Sequence, residues 1–271
     1  MSEWEFSDFA SKDNLLRTVR EQSDQMLELA AAPGVWEAPT ASGHWQVRDI
    51  IGHLVDTTEG YFAAIDIARS GGTAPEPLGV RGMDAHADQG ALAFRGTSQD
   101  ELLTRLDKDR AEMLAIIEGF DAEQWGSFLI PHKYMGPLPA CFYPVAQLVD
   151  YTVHTWDIRQ GSGVSHAMDG DAADLLVPFC LIVWQSTSEC EAVAPFSLGV
   201  RLVSGHNVGD TRVSVSPEGI ALEPGSVEDL PLALEFDAAS FVLTAMGRIN
   251  GGTARGDAAL AERFCNLFFR I

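Results

Sequence analysis

Along the first two-thirds of the chain, apolar residues return every three or four positions, a spacing that predicts helices with one face toward a core. Leu15, Leu16, Val19, Met26, Leu27 and Leu29 form one such stripe, which Ala31-Ala32-Pro33-Gly34 stops. A second begins near Trp45, runs through Ile50, Ile51, Leu54 and Val55 to Ile65 and Ile67, and ends at Ser70-Gly71-Gly72. A third has Ser98 as its N-cap with Glu101 three residues on, carries Leu102, Leu103, Leu106, Met113, Leu114, Ile116 and Ile117, and closes at Gly119. Two further helices are expected, one around 147–159 and one from Asp171 to about Glu191, with a break at Gly161 to His166. Residues 75–96 read as a loop or short broken helix, and residues 125–144, with Pro131, Pro137, Pro139 and Pro144, as irregular. Four to five helices with short connections make a bundle.

The texture changes after Ala194. The runs PFSLGVRLV, TRVSVSP and LPLALEF are short, β-branched or alternating, and bounded by turn residues, so they read as strands. A helix over 238–246, the turn GRINGGTARGD and an amphipathic helix from Ala258 to Phe269 follow. The fold class is therefore α+β: a helical domain over 1–191 and a small α/β domain over 192–271.

Composition narrows the function. With 271 residues, 46% of them hydrophobic, the chain can bury a sizeable core without disulfide staples. Its formal net charge of −21 repels phosphate backbones and anionic lipid, so nucleic-acid and membrane partners are not expected. Cys141, Cys180, Cys190 and Cys265 are scattered, as reduced thiols of a cytoplasmic protein would be. The polar, acidic N-terminus carries no visible export signal, and the longest apolar stretch, Leu175 to Trp184, is about half of what a bilayer needs.

The chemistry concentrates in QLVDYTVHTWDIR, Gln147 to Arg159. Asp150 and His154 are four apart, so on a helix the carboxylate and the imidazole share a face. Burying an unpaired carboxylate is costly, and a cation beside it removes that cost. A third group is available in His53, among Ile50, Ile51, Leu54 and Val55 of the second helix. A lone histidine there is more often a hydrogen-bonded core residue than a ligand, and an Asp–His pair can be merely solvated. Three such groups from two helices nevertheless match the way bundles house metals. Two imidazoles, a carboxylate and an open position suit a catalytic divalent metal, zinc first, with iron, nickel and manganese left open. Asp49, Asp56 and Asp157 lie three or four residues from the histidines and are candidates to orient an imidazole. His44, His86, His132, His166 and His206 read as surface residues. Tyr134, Tyr143 and Trp125 could wall a pocket or simply pack. Nothing in the chain has the order of a nucleophilic triad, a phosphate loop or a dinucleotide fingerprint.

The run HWQVRDIIGHLVDTTEGYF, the segment Asp150-x-x-x-His154-Thr-Trp-Asp157 and the C-terminal TAMGRINGGTARGDAALAERF together resemble the mycothiol-dependent maleylpyruvate isomerase family, part of the DinB-like superfamily, over nearly the whole chain. The resemblance implies a DinB-like four-helix bundle that binds a divalent metal, usually zinc, through His53, Asp150 and His154. It further implies a small α/β C-terminal domain and activity with a low-molecular-weight thiol, mycothiol, in an actinobacterial cytoplasm. Arg248 or Arg255, around the glycine-rich turn, would hold a substrate carboxylate in the catalytic cleft, although an ordinary tight turn with solvent-facing arginines is the alternative. The isomerases usually show Glu where this chain has Asp150, and often Arg where it has Gln147. The expected activity is that of an isomerase or a thiol transferase on a small electrophilic substrate, in a monomer or homodimer. A non-catalytic metal-binding regulatory protein and a metal hydrolase are the alternatives.

Overall fold

The computed structural model describes residues 2–164 and 166–269. The chain forms two compact units, Met1–Met168 and Asp169–Ile271. The first contains α1 (Lys12–Ala31), α2 (Val47–Ser70), α3 (Met83–Ala93), α4 (Gln99–Glu118), α5 (Ala122–Ser127), a β1–β2 hairpin (Leu129–His132, Gly136–Pro139) and α6 (Phe142–Gly161). Its four long helices, α1, α2, α4 and α6, pack on one another. Their stripes supply the core: Leu15, Val19 and Met26 from α1, Ile50, Ile51 and Val55 from α2, Leu102, Leu106 and Met113 from α4, and Val145, Leu148 and Val153 from α6 are all buried. Each contributes roughly 1.5–3 kcal/mol by leaving water.

The helix ends follow local chemistry. Ser98 accepts a hydrogen bond from the Glu101 backbone N–H and starts α4. Asp49 reaches back to the Gln46 N–H at 2.9 Å and starts α2. Gly71, at φ 66°, takes the left-handed conformation that ends it. The buried ammonium of Lys12 donates to the carbonyls of Glu118 and Phe120, where the orphan acceptors at the end of α4 need a donor.

Two stretches are more ordered than the sequence pattern predicts. Within 75–96 lie a 3-10 turn at Val80–Gly82 and the helix α3, which packs on α2. That packing depends on Gly52, where a Cβ would lie 2.8 Å from the Ala91 carbonyl oxygen. Within 125–144, α5 and the β1–β2 hairpin replace the expected irregular chain. Prolines are tolerated there because each strand has a single partner, with Pro131 opposite Pro137.

The second unit contains α7 (Gly170–Thr187), β3 (Phe196–Leu202), β4 (Gly209–Ser216), β5 (Gly219–Pro224), β6 (Leu232–Phe236), α8 (Ala238–Ala245), β7 (Thr253–Gly256) and α9 (Ala258–Cys265). Its sheet has the order β5-β4-β3-β6-β7, with β3 and β6 parallel and the other pairs antiparallel. The unit begins one helix earlier than the change of texture at 191/192. The reason is α7, which packs on α8 and β5. Its Trp184 stacks on Phe268 and meets Phe236, Phe241 and Phe264 edge-on. Ser165, in the break at Gly161 to His166, lies outside the described residues.

Candidate metal centre

Helices α2 and α6 run antiparallel through the first unit, and two ring contacts mark their crossing. His53 meets His154 edge-on at 5.3 Å between centroids, and further along Tyr61 meets Tyr143 at 4.9 Å. At the first crossing His53, Asp150 and His154 each offer a ligand atom, and the three atoms lie within 4.8 Å of one another. His53 Nε2 and Asp150 Oδ1 are 3.7 Å apart. Ligand atoms around a tetrahedral divalent cation, with bonds of about 2.1 Å, stand roughly 3.4 Å apart. The donor set and spacing therefore fit such a cation after a small contraction.

The surroundings define the imidazoles. Asp157, one turn past His154 and fully buried, lies 2.9 Å from His154 Nδ1 through its Oδ2. A carboxylate accepts only, so the proton sits on Nδ1 and Nε2 is left with its lone pair. The His154 side chain is 9% exposed, whereas those of His53 and Asp150 are 14% and 23% exposed, which leaves one side of the cluster open. Trp45 lies over both histidines, with ring centroids at 5.2 Å and 5.8 Å. Its indole N–H donates to Asp88 on α3 at 2.9 Å, and the same carboxylate oxygen is 2.9 Å from His44 Nε2.

Of the three acids offered as orienters, Asp157 is shown at an imidazole. Asp49 is committed elsewhere, accepting two hydrogen bonds from Arg95 at 2.8 Å each. Burial works against its charge, but the Arg95 and Gln46 hydrogen bonds outweigh burial and hold its pKa below the usual range. Asp56 packs against α3, where a Cβ on Gly90 would fall 2.4 Å from its Oδ2.

Beyond the cluster, Tyr61 lies close enough to Asp150 to feel its charge. Burial, and then that charge, push the Tyr61 phenol pKa well up. Tyr143 donates to the carbonyls of Ile130 and Pro131, and so ties the hairpin to α6. His132, read from sequence as a surface residue, packs beside Tyr134 and Tyr143, and burial lowers its pKa. Burial first, and then Asp56, raise Tyr134 to about 12. Trp125 is a core residue whose indole donates to the Phe6 carbonyl at 3.1 Å. The depression between Arg69, Glu112, Phe120 and Phe128 contains none of the cluster residues.

Arg248 and Arg255 lie in the second unit. Arg248 follows α8 and donates through Nη1 to the Met246 carbonyl at 2.8 Å. Arg255 is on β7 and pairs with Glu235 on the neighbouring β6 at 2.8 Å. The glycines between them have a packing role. At Gly252 a Cβ would fall 2.5 Å from the Phe236 ring, so only glycine lets the turn close there.

Sequence reasoning missed Trp45, Asp88 and Tyr61. The second stripe begins near Trp45 but gives no sign of its place over the histidines, and no periodic signal marks Asp88, because both roles arise from a loop and a short helix packed on α2. Tyr61 sat unremarked in the second helical stripe.

Comparisons with known proteins give a consistent picture. Residues 16–159 match the family described as mycothiol maleylpyruvate isomerase N-terminal domain. A crystal structure of the mycothiol-dependent maleylpyruvate isomerase and one of a histidine-to-alanine mutant of it are similar in fold. Each has a TM-score of 0.59 and 14% sequence identity, and the match covers 91% of this chain and 94% of the other. Among curated proteins, none matches. No helix among the described residues is long and apolar enough to cross a membrane.

Proposed function

The chain belongs to the mycothiol maleylpyruvate isomerase N-terminal domain family, and from that premise we propose that it is a metal-dependent enzyme whose co-reactant is a low-molecular-weight thiol, mycothiol by family. The observation that carries the reading is the convergence of His53, Asp150 and His154 within 4.8 Å, on the helices that the family match spans. These three are the proposed ligands, and zinc is the proposed ion, because two imidazoles and a carboxylate with an open side make a catalytic zinc set. When bound, the cation supplies a Lewis acid that favours thiolate or hydroxide near neutral pH.

The chain's own residues account for the rest of the site. Asp157 keeps the His154 proton on Nδ1, and Trp45 covers the two imidazoles and excludes water from that side. The open side, at His53 and Asp150, admits the reactants. In the proposed reaction the thiolate sulfur bonds to the electrophilic carbon of a conjugated alkene, and the electron pair of the former double bond moves toward the substrate's carbonyl. Rotation about the resulting single bond, followed by loss of the thiolate, gives the geometric isomer and returns the thiol. Delivery of the thiol's proton to the neighbouring carbon instead keeps sulfur on the product, which is transfer. Arg248 or Arg255 is the proposed holder of a substrate carboxylate; the test is whether R248A or R255A raises KM for the acceptor alone.

The deciding experiment measures metal in protein purified without added metal, and thiol consumption with maleylpyruvate and other conjugated acceptors. It compares wild type with His53→Ala and His154→Ala. Bound metal and turnover that both fall in the variants support the proposal. A wild-type protein that binds no divalent metal even after loading overturns it.

A further inference from the structure

The two imidazoles of the cluster are held in different ways. His154 is oriented by the hydrogen bond from its Nδ1 to the buried Asp157 carboxylate at 2.9 Å. His53 makes no hydrogen bond among the described residues, and its ionic contact, Asp150 Oδ1, stands 3.7 Å from its Nε2. A metal-binding imidazole needs an outer partner that fixes its ring, so for His53 another contact must set the plane. Two rings touch it: His154 edge-on at 5.3 Å, and the Trp45 indole at 5.2 Å with 43° between the planes.

An indole can act as a fixed wall only if its own rotation is stopped. Trp45 is 9% exposed, and a tryptophan buried to that extent needs an acceptor for its one donor. Asp88 is that acceptor: its Oδ1 takes the indole N–H at 2.9 Å, and His44 Nε2 lies 2.9 Å from the same oxygen. The backbone that carries Asp88 is seated on α2 two and three residues further on. There a Cβ on Gly90 would fall 2.4 Å from Asp56 Oδ2, and one on Gly52 would fall 2.8 Å from the Ala91 carbonyl oxygen.

We infer that Asp88 is a positioning residue for the cluster: through the Trp45 indole it fixes the plane of the His53 imidazole, the part that Asp157 performs directly for His154. This rests on the metal reading proposed above and adds a third helix, α3, to the two that supply the ligands. With the Asp88 bond broken, the indole can turn and His53 gains freedom that must be given up again when a metal binds. The hold on the metal therefore depends on α3, which supplies no ligand.

The test uses the full chain stripped of metal and titrated with Co2+. Affinity is read by competition with a chromophoric chelator, and ligand geometry by the visible ligand-field bands. Asp88→Ala should bind cobalt about 10-fold more weakly than wild type, the scale for loss of an outer partner, with shifted bands. Trp45→Phe, which keeps an aromatic face without a donor, should lose as much. The double variant should lose no more than either single one, because both changes break the same connection. Asp88→Asn, whose side-chain oxygen still accepts from the indole, should stay near wild type, as should His44→Ala, which leaves that bond intact. Additive losses in the double variant overturn the inference and leave the metal reading standing, and so does an Asp88→Ala protein with the affinity and bands of wild type. Should Trp45→Phe fail to fold, the pair Asp88→Ala and Asp88→Asn decides: a loss confined to the alanine variant supports the inference, and equal losses overturn it. A wild type that takes up no cobalt overturns the metal reading, and this inference with it.

Discussion

Asp157 Oδ2 stands 2.9 Å from His154 Nδ1, with the carboxylate fully buried one helical turn beyond the imidazole. The pair fixes a tautomer, and with it which ring nitrogen faces His53. In Asp157→Asn the carboxamide can donate toward Nδ1 instead, which favours the tautomer with its proton on Nε2. We expect metal affinity to fall about 10–100-fold, read by competition with a chromophoric chelator. Unchanged affinity would mean that Asp157 only packs.

Asp150 is placed close enough to serve, 3.7 Å from His53 Nε2. Asp150→Ala should therefore lose metal under dialysis, whereas Asp150→Glu, which keeps the carboxylate on a side chain one methylene longer, should retain it. Removing metal from wild type with a chelator should lower Tm, because an ion bound only by the folded state at about 100 times its Kd stabilises by about 2.7 kcal/mol. A Tm insensitive to both the chelator and D150A would count against the site.

Gly52 lets α3 approach α2. In Gly52→Ala the new methyl meets the Ala91 carbonyl oxygen, a backbone atom that cannot swing aside. We expect a loss of about 1–3 kcal/mol, measured by urea denaturation, and a drop in Trp45 fluorescence anisotropy as Asp88 moves off the indole.

His132 carries a pH dependence. Burial lowers its pKa below 6.5, so below that pH the unfolded chain takes up the proton before the folded one does. Stability contributed by neutral His132 is complete above pH 6.5 and is lost as pH falls from there to the lower folded-state value. Tm of wild type should decline in that window more than Tm of His132→Gln. Parallel Tm–pH curves would show that His132 titrates alike in both states.

The boundary between the units can be tested by cutting. A fragment starting at Asp169 retains Trp184 against Phe236, Phe241, Phe264 and Phe268. It should unfold cooperatively with a blue-shifted tryptophan emission. A fragment starting at residue 192 lacks that ring and should show no cooperative transition.

The bundle was legible because helix-period stripes report burial directly: α1, α2, α4, α6 and α7 each carry one. Strands β3, β4 and β6 were legible from alternation for the same reason. Short or exposed elements left no such trace. The strand β7 is exposed along its length and reads as part of a turn, and the β1–β2 hairpin hides behind its prolines. The domain boundary followed the change of texture, but α7 belongs with the sheet through aromatic contacts made far along the chain.

The same division holds at the candidate site. Asp150 and His154 are one turn apart on one helix, so their shared face follows from local geometry, and the sequence by itself determined it. The spacing of His53 from that pair and the Trp45 cover over both imidazoles depend on how α2, α3 and α6 pack. Residues far apart in sequence acquire a distance only when packing sets it, so those features were decided by the tertiary structure alone.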